Sequence, residues 1–190
     1  MSPMTTKTTL AFSALALAFA LSMPLAARQG PGAGYPPPKP QPLGTTQVAR
    51  GAQLVMLGGC HDCHTPKGPN FSLDVARGLS GHPQNAALPP DVVGGVSTNM
   101  MLTAWRGPWG VSLARNLTPD KETGIGDWTL ADFKKALRTG VNKKGEVLLP
   151  PMPIMNLQNL PDQDLDAIWA YLRSIKPVRN PVGKPVPPRQ

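Results

Sequence analysis

Cys60-His61-Asp62-Cys63-His64 decides how this chain is read. Two cysteines with two residues between them and a histidine directly after form the C-x-x-C-H pattern of covalent c-type haem attachment. Thiols at this spacing can add to the two vinyl groups along one porphyrin edge. The following histidine then falls under the iron as an axial ligand. Other chemistries fit the same residues less well. A zinc half-site needs a second ligand pair, and the chain has no further cysteine and one further histidine, His82. A redox dithiol would give His64 no role. The motif predicts one haem c held by Cys60 and Cys63, with His64 on the iron. Both cysteines are then consumed, so no disulfide is expected.

Working outward on the N-terminal side, Val48, Leu54, Val55 and Leu57 recur at helical spacing, and Thr45 or Thr46 can cap the helix they predict. Gly51 sits inside that helix at a cost of about 1 kcal/mol against alanine; close contact with another helix would justify it. Gly58-Gly59 ends the helix and leads into the motif. Residues 28–45 are rich in proline and glycine, with Pro36-Pro37-Pro38 at their centre, and read as an extended linker. Residues 1–27 have the pattern of a secretory signal: Lys7 without an acid, an apolar run from Leu10 to Leu21, and Ala26-Ala27 for cleavage. The apolar stretch reaches about 18 residues, the lower limit for spanning a bilayer, so an uncleaved anchor is the alternative.

On the C-terminal side, prolines 66, 69, 83, 89, 90 and 108 deny a long helix through residues 65–115. Asn99 to Trp105 is expected to turn, carrying Met100 and Met101. Trp105 and Trp109 are expected to fill core in preference to lining a haem edge. Residues 116–128 form turns, with Pro119-Asp120 and two glycines. Thr129 then caps a helix, with Asp132 as the reciprocal partner of a capping box. Leu130, Phe133, Ala136 and Leu137 supply its apolar face, and Gly140 stops it. Trp128 could donate to a haem propionate or serve as a buried structural residue. In Leu149-Pro150-Pro151-Met152-Pro153, prolines on both sides stiffen the loop around a weak thioether donor, as a sixth iron ligand requires. Met155, Met100 and Met101 lack this bracketing. Asp162 to Ser174 is the clearest helix, with Leu165, Ile168, Trp169 and Leu172 on one stripe, acids in its first turn and Pro177 beyond its end. Residues 177–190 are a basic, proline-rich tail, expected to be extended and mobile.

The net charge of +8 is scattered and not gathered into a nucleic-acid tract. It suits acidic redox partners or an anionic membrane surface. Aromatic content of 5% is thin for a core of this size. A buried porphyrin would supply much of the missing apolar surface, and the apo-protein is expected to fold poorly.

Together, Cys60 to His64, the Asn116–Trp128 block, Pro150 to Pro153 and Asp162 to Leu172 resemble a class I c-type cytochrome. More narrowly, they are similar to the cytochrome c domains that accompany periplasmic alcohol, gluconate and aldehyde dehydrogenases. Those domains carry similar Asn-x-Thr-Pro-Asp…Thr-Gly-Ile-Gly-x-Trp-Thr and Pro-x-Met-Pro runs. The likeness covers roughly residues 46–176. It implies an all-α, single-domain fold around one covalent haem, with crossed terminal helices and Gly51 against Tyr171 or Trp169. It also implies Cys60 and Cys63 as attachment points, His64 as proximal and Met152 as distal ligand. The function implied is a monohaem electron carrier of a periplasmic respiratory or dehydrogenase-linked chain, not itself an enzyme. A dehydrogenase would be the donor, and a terminal oxidase or another cytochrome the acceptor. Two departures stand out: such subunits often hold three haem domains where this chain has one motif, and the stretch from His64 to Met152 is longer than in a minimal class I cytochrome. A peroxidase-like or thiosulfate-oxidising enzyme, or a haem-based ligand sensor, would instead need an open iron position or a second redox centre.

Overall fold

The Thr46 hydroxyl accepts the Ala49 amide at 3.1 Å and starts α1 (Gln47–Leu57), the first helix among the described residues. This computed structural model describes residues 46–188; the expected signal segment and linker lie outside the described residues. Gly58 closes α1, and the one-turn helix α2 (Cys60–His64) follows after Gly59, whose φ is 64°. Further along the chain, the Thr129–Asp132 capping box opens α3 (Leu130–Thr139), and Gly140 ends it in the left-handed conformation. A short α4 (Ile154–Leu157) precedes α5 (Asp162–Ser174). Thr46, Thr129, Asp132 and Gly140 thus perform the starts and stops expected of them.

The core lies where α1, α3 and α5 meet. Val55, Phe133, Leu137, Leu165, Ile168 and Leu172 form its buried cluster. The principal helix contact is α1 on α5, and it is built around Gly51. A Cβ there would lie 1.9 Å from the Ala167 carbonyl oxygen and 2.8 Å from the Tyr171 Cβ. The helix-interior glycine therefore marks a helix crossing, with Tyr171 as its aromatic neighbour. Trp169 packs elsewhere, with its ring 5.4 Å from that of Phe133 and the Arg173 guanidinium over it. Ion pairs tie the same helices at their rims: Arg50 with Asp164, and Lys134 and Arg138 with Asp162.

The all-α expectation needs correcting between residues 97 and 113. There the chain forms a three-stranded antiparallel sheet of β1 (Ser97–Thr98), β2 (Ala104–Gly107) and β3 (Gly110–Leu113). The prolines and glycines that deny helix here still permit short paired strands. The Asn99 carboxamide closes the first turn by accepting the amides of Thr103 (3.0 Å) and Ala104 (3.2 Å). Met100 and Met101 ride on that turn, as expected. Pro108 and Trp109 make the second turn, between the paired Gly107 and Gly110, with Gly110 at a φ of 92°.

The tail after α5 is extended, as expected, but it is tied down along its length. Val186 pairs with Val111 through backbone hydrogen bonds of 2.8 and 3.0 Å. The free edge of β3 supplied unpaired backbone groups, and the tail satisfies them. A Cβ at Gly110 would lie 2.1 Å from the Val186 carbonyl oxygen, so glycine is what allows this approach. Among the described residues, no helix is long and apolar enough to cross a membrane.

Candidate haem-attachment site

In a single helical turn, residues three apart share a face. α2 uses this to present Cys60 and Cys63 together to a cavity of about 390 Å³, which His64 also lines. The opposite walls come from the sheet (Trp105, Leu113), from α3 (Phe133, Leu137) and from the loop that carries Leu149 and Met152. The walls are mostly apolar, with a polar side that includes Arg115, Glu122, Asn142, Lys144 and Glu146.

Both thiols are free and half-buried. Burial pushes the Cys60 thiol up to about 11 and raises Cys63 in the same sense, so both stand protonated and unpaired at neutral pH. His64 is 8% exposed, and its Nδ1 lies 2.7 Å from the Arg115 carbonyl oxygen. A carbonyl oxygen only accepts, so Nδ1 carries the proton and Nε2 keeps its lone pair for a metal. Burial holds the His64 pKa below its usual value, which favours the neutral, ligating form.

Met152 lines this cavity, and among the described methionines it is the one that does. Met100 and Met155 are each 75% exposed, and Met101 lines a separate hollow on the surface. The Met152 loop is braced from the sheet, since the Ser112 hydroxyl donates to the Pro150 carbonyl at 2.6 Å. Trp128 and Trp105 both line the cavity, while Trp109 does not. The expectation that Trp105 would be plain core filler is therefore corrected. Its indole N–H already donates to the Leu102 carbonyl at 3.0 Å, which turns the ring's apolar face to use. His82 lies apart, buried against the Thr103 hydroxyl at 2.9 Å.

Two contributors had no clear signal in the sequence. Lys67 is 7% exposed, and its ammonium donates to the carbonyls of His61 and Thr65, each at 2.9 Å, and to that of Asp62. It closes the C-terminal end of α2, where unpaired carbonyls and the negative end of the helix welcome a cation. Arg115 acts through its peptide oxygen, which any residue type would offer. Two available thiols, an imidazole with Nε2 free, a thioether and apolar walls form a donor set that fits a covalently held porphyrin.

Comparison with known proteins agrees with this chemistry. The family model described as Cytochrome c matches residues 48–176. A nicotinate dehydrogenase subunit of Pseudomonas putida is 35% identical over 130 residues, which is 68% of this chain and 9% of that protein. The gluconate 2-dehydrogenase cytochrome c subunit of Pantoea cypripedii is 36% identical over 132 residues, 69% of this chain and 24% of that subunit. The cytochrome c subunit of the quinone alcohol dehydrogenase of Gluconacetobacter polyoxogenes is 32% identical over 139 residues, 73% of this chain and again 24% of the relative's length. The chain thus spans a minor part of each relative that it matches.

Proposed function

Because this chain belongs to the cytochrome c family, we propose that it carries single electrons through one haem, attached at Cys60 and Cys63 and axially ligated by His64 and Met152. The observation that carries this reading is the shared cavity: both thiols, the imidazole and the thioether line the same apolar space. Haem bound there supplies one-electron Fe(III)/Fe(II) chemistry. The chain's own residues do the rest. Cys60 and Cys63 fix the ring's position, and the Arg115 carbonyl sets the tautomer and direction of the imidazole. Pro151 and Pro153 stiffen the backbone on either side of the weakly donating Met152. With His64 and Met152 both holding the iron, no position would be left for a substrate, which supports reading the chain as a carrier and not an enzyme.

The donor we infer is a dehydrogenase, since the relatives are named as dehydrogenase subunits. A terminal oxidase or another cytochrome is the proposed acceptor. The periplasm is the proposed location, on the strength of residues 1–27 and of haem c itself. The net charge of +8 suits an acidic partner or the surface of an anionic membrane and asks for no nucleic acid.

The test is spectroscopic. Mass spectrometry should find one covalent haem per chain. Met152→Ala should keep that haem, lose the far-red Met–Fe(III) absorption band and lower the midpoint potential, because a thioether favours the ferrous state. Met155→Ala should change neither. If the two variants exchange these phenotypes, the distal assignment is wrong.

A further inference from the structure

We propose that residues 178–188, which lie beyond the stretch the family model matches, form a strap that walls the haem cavity and sets the reduction potential of the bound haem. The inference rests on the haem-binding reading above and goes beyond it.

Pro181, Val182 and Pro185 line the same cavity as His64 and Met152. Proline has no N–H to offer, so this wall brings apolar surface and few donors to the cavity. The strap is anchored on both sides of these residues. Upstream, the Val178 carbonyl accepts from the Asn116 carboxamide at 2.7 Å. The Asn180 carboxamide donates to the carbonyls of Ser80 (2.7 Å) and His82 (2.9 Å). Downstream, Val186 is paired with Val111 on the edge of β3. Between these anchors, the Arg115 guanidinium donates to the Gly183 carbonyl at 2.5 Å. The same residue's peptide oxygen accepts the His64 Nδ1 proton. The strap and the proximal ligand therefore hold opposite ends of one residue.

Such a wall acts on redox chemistry in a definite direction. Excluding water from the iron's surroundings disfavours the more highly charged ferric state and so raises the potential. A charge placed in the wall acts more sharply still: a carboxylate stabilises ferric iron, and an ammonium opposes it.

The experiment uses the full-length holo-protein. Val182→Asp should lower the midpoint potential and Val182→Lys should raise it, while Val182→Ile should leave it unchanged. The same Asp and Lys substitutions at Val186, four residues along the strap and not lining the cavity, should shift it far less. If both charges at Val182 lower the potential, the strap has been displaced and water admitted, which also supports the wall. Equal shifts at Val182 and Val186, or no shift at either, would overturn the inference. Should the Val182 variants fail to accumulate, Asn180→Ala loosens the strap without adding charge and must lower the potential; an unchanged value overturns the proposal. Failure of the haem-binding reading looks different, because wild-type protein would then carry no covalent haem at all.

Discussion

Gly51 shows how much one missing side chain can carry. A glycine on an exposed helix face is a defect, and alanine there stabilises by up to about 1 kcal/mol. At Gly51 the obstacle to a Cβ is the Ala167 carbonyl oxygen, 1.9 Å away and part of a backbone that cannot rotate aside. Gly51→Ala must push α1 from α5, at the cost of about 1–3 kcal/mol typical of overpacking. The holo-protein should melt several degrees lower with its haem spectrum unchanged below the transition; a higher melting temperature would remove the crossing. His82 carries a second prediction at this scale. It is 3% exposed, and burial lowers its pKa from 6.5. The unfolded chain therefore takes up a proton at a pH where the folded chain does not. Its contribution to stability is complete above 6.5 and is lost as pH falls through the depressed folded value. Melting temperatures of wild type should drop on acidification below that point, and those of His82→Gln should drop less. Parallel profiles would assign the acid sensitivity to other groups.

Among the elements, α2 has five residues and is too short to hold a helical shape alone. Lys67 supplies part of what it lacks by gathering three carbonyls at its C-terminal end. Lys67→Met keeps the length of the side chain and takes the donor from the Asp62 and Thr65 carbonyls, while that of His61 keeps the Thr65 amide at 3.3 Å, at a cost of about 1–3 kcal/mol for buried polar groups left unpaired. Denaturant melts of the holo-protein should show that loss, whereas an unchanged midpoint would mean that water replaces the ammonium. The contrast between α2 and its larger neighbours also explains what could be read in advance. α1, α3 and α5 were legible because Thr46, Thr129 with Asp132, and Gly140 act on residues within a turn of themselves, and because their apolar faces repeat over three turns. The candidate attachment motif stands out in the sequence because the chemistry it suggests is carried by side-chain type at fixed spacing. The sheet does not, since strands of two to four residues show no alternation and are specified by partners distant in sequence. Lys67 and the Arg115 carbonyl were hidden for a related reason. Each works through backbone oxygens, and residue type says little about where a backbone oxygen points.

For the whole molecule, the cavity is the governing feature. Its walls are drawn from α2, the sheet, α3, the Met152 loop and the tail, so apolar side chains of all five face one space. A bound porphyrin would join them, which fits the low aromatic content and would couple cofactor binding to folding. Proline-rich composition foretold that the tail would be extended, while its resting place depended on an edge strand that composition does not reveal. Chain order adds a matter of timing. Every other residue lining the cavity, from Gly58 to Leu157, precedes the strap in sequence. With export running from the N-terminus, the strap is therefore the last wall to reach the periplasm proposed above, and until it arrives the two thiols face an unfinished chamber. Loading can come first and closure second. A chain stopped at Pro177 should then acquire covalent haem in the same yield as the full-length protein, read as haem stain per unit of protein. A large drop in yield would mean that the strap helps build the chamber and does not simply shut it.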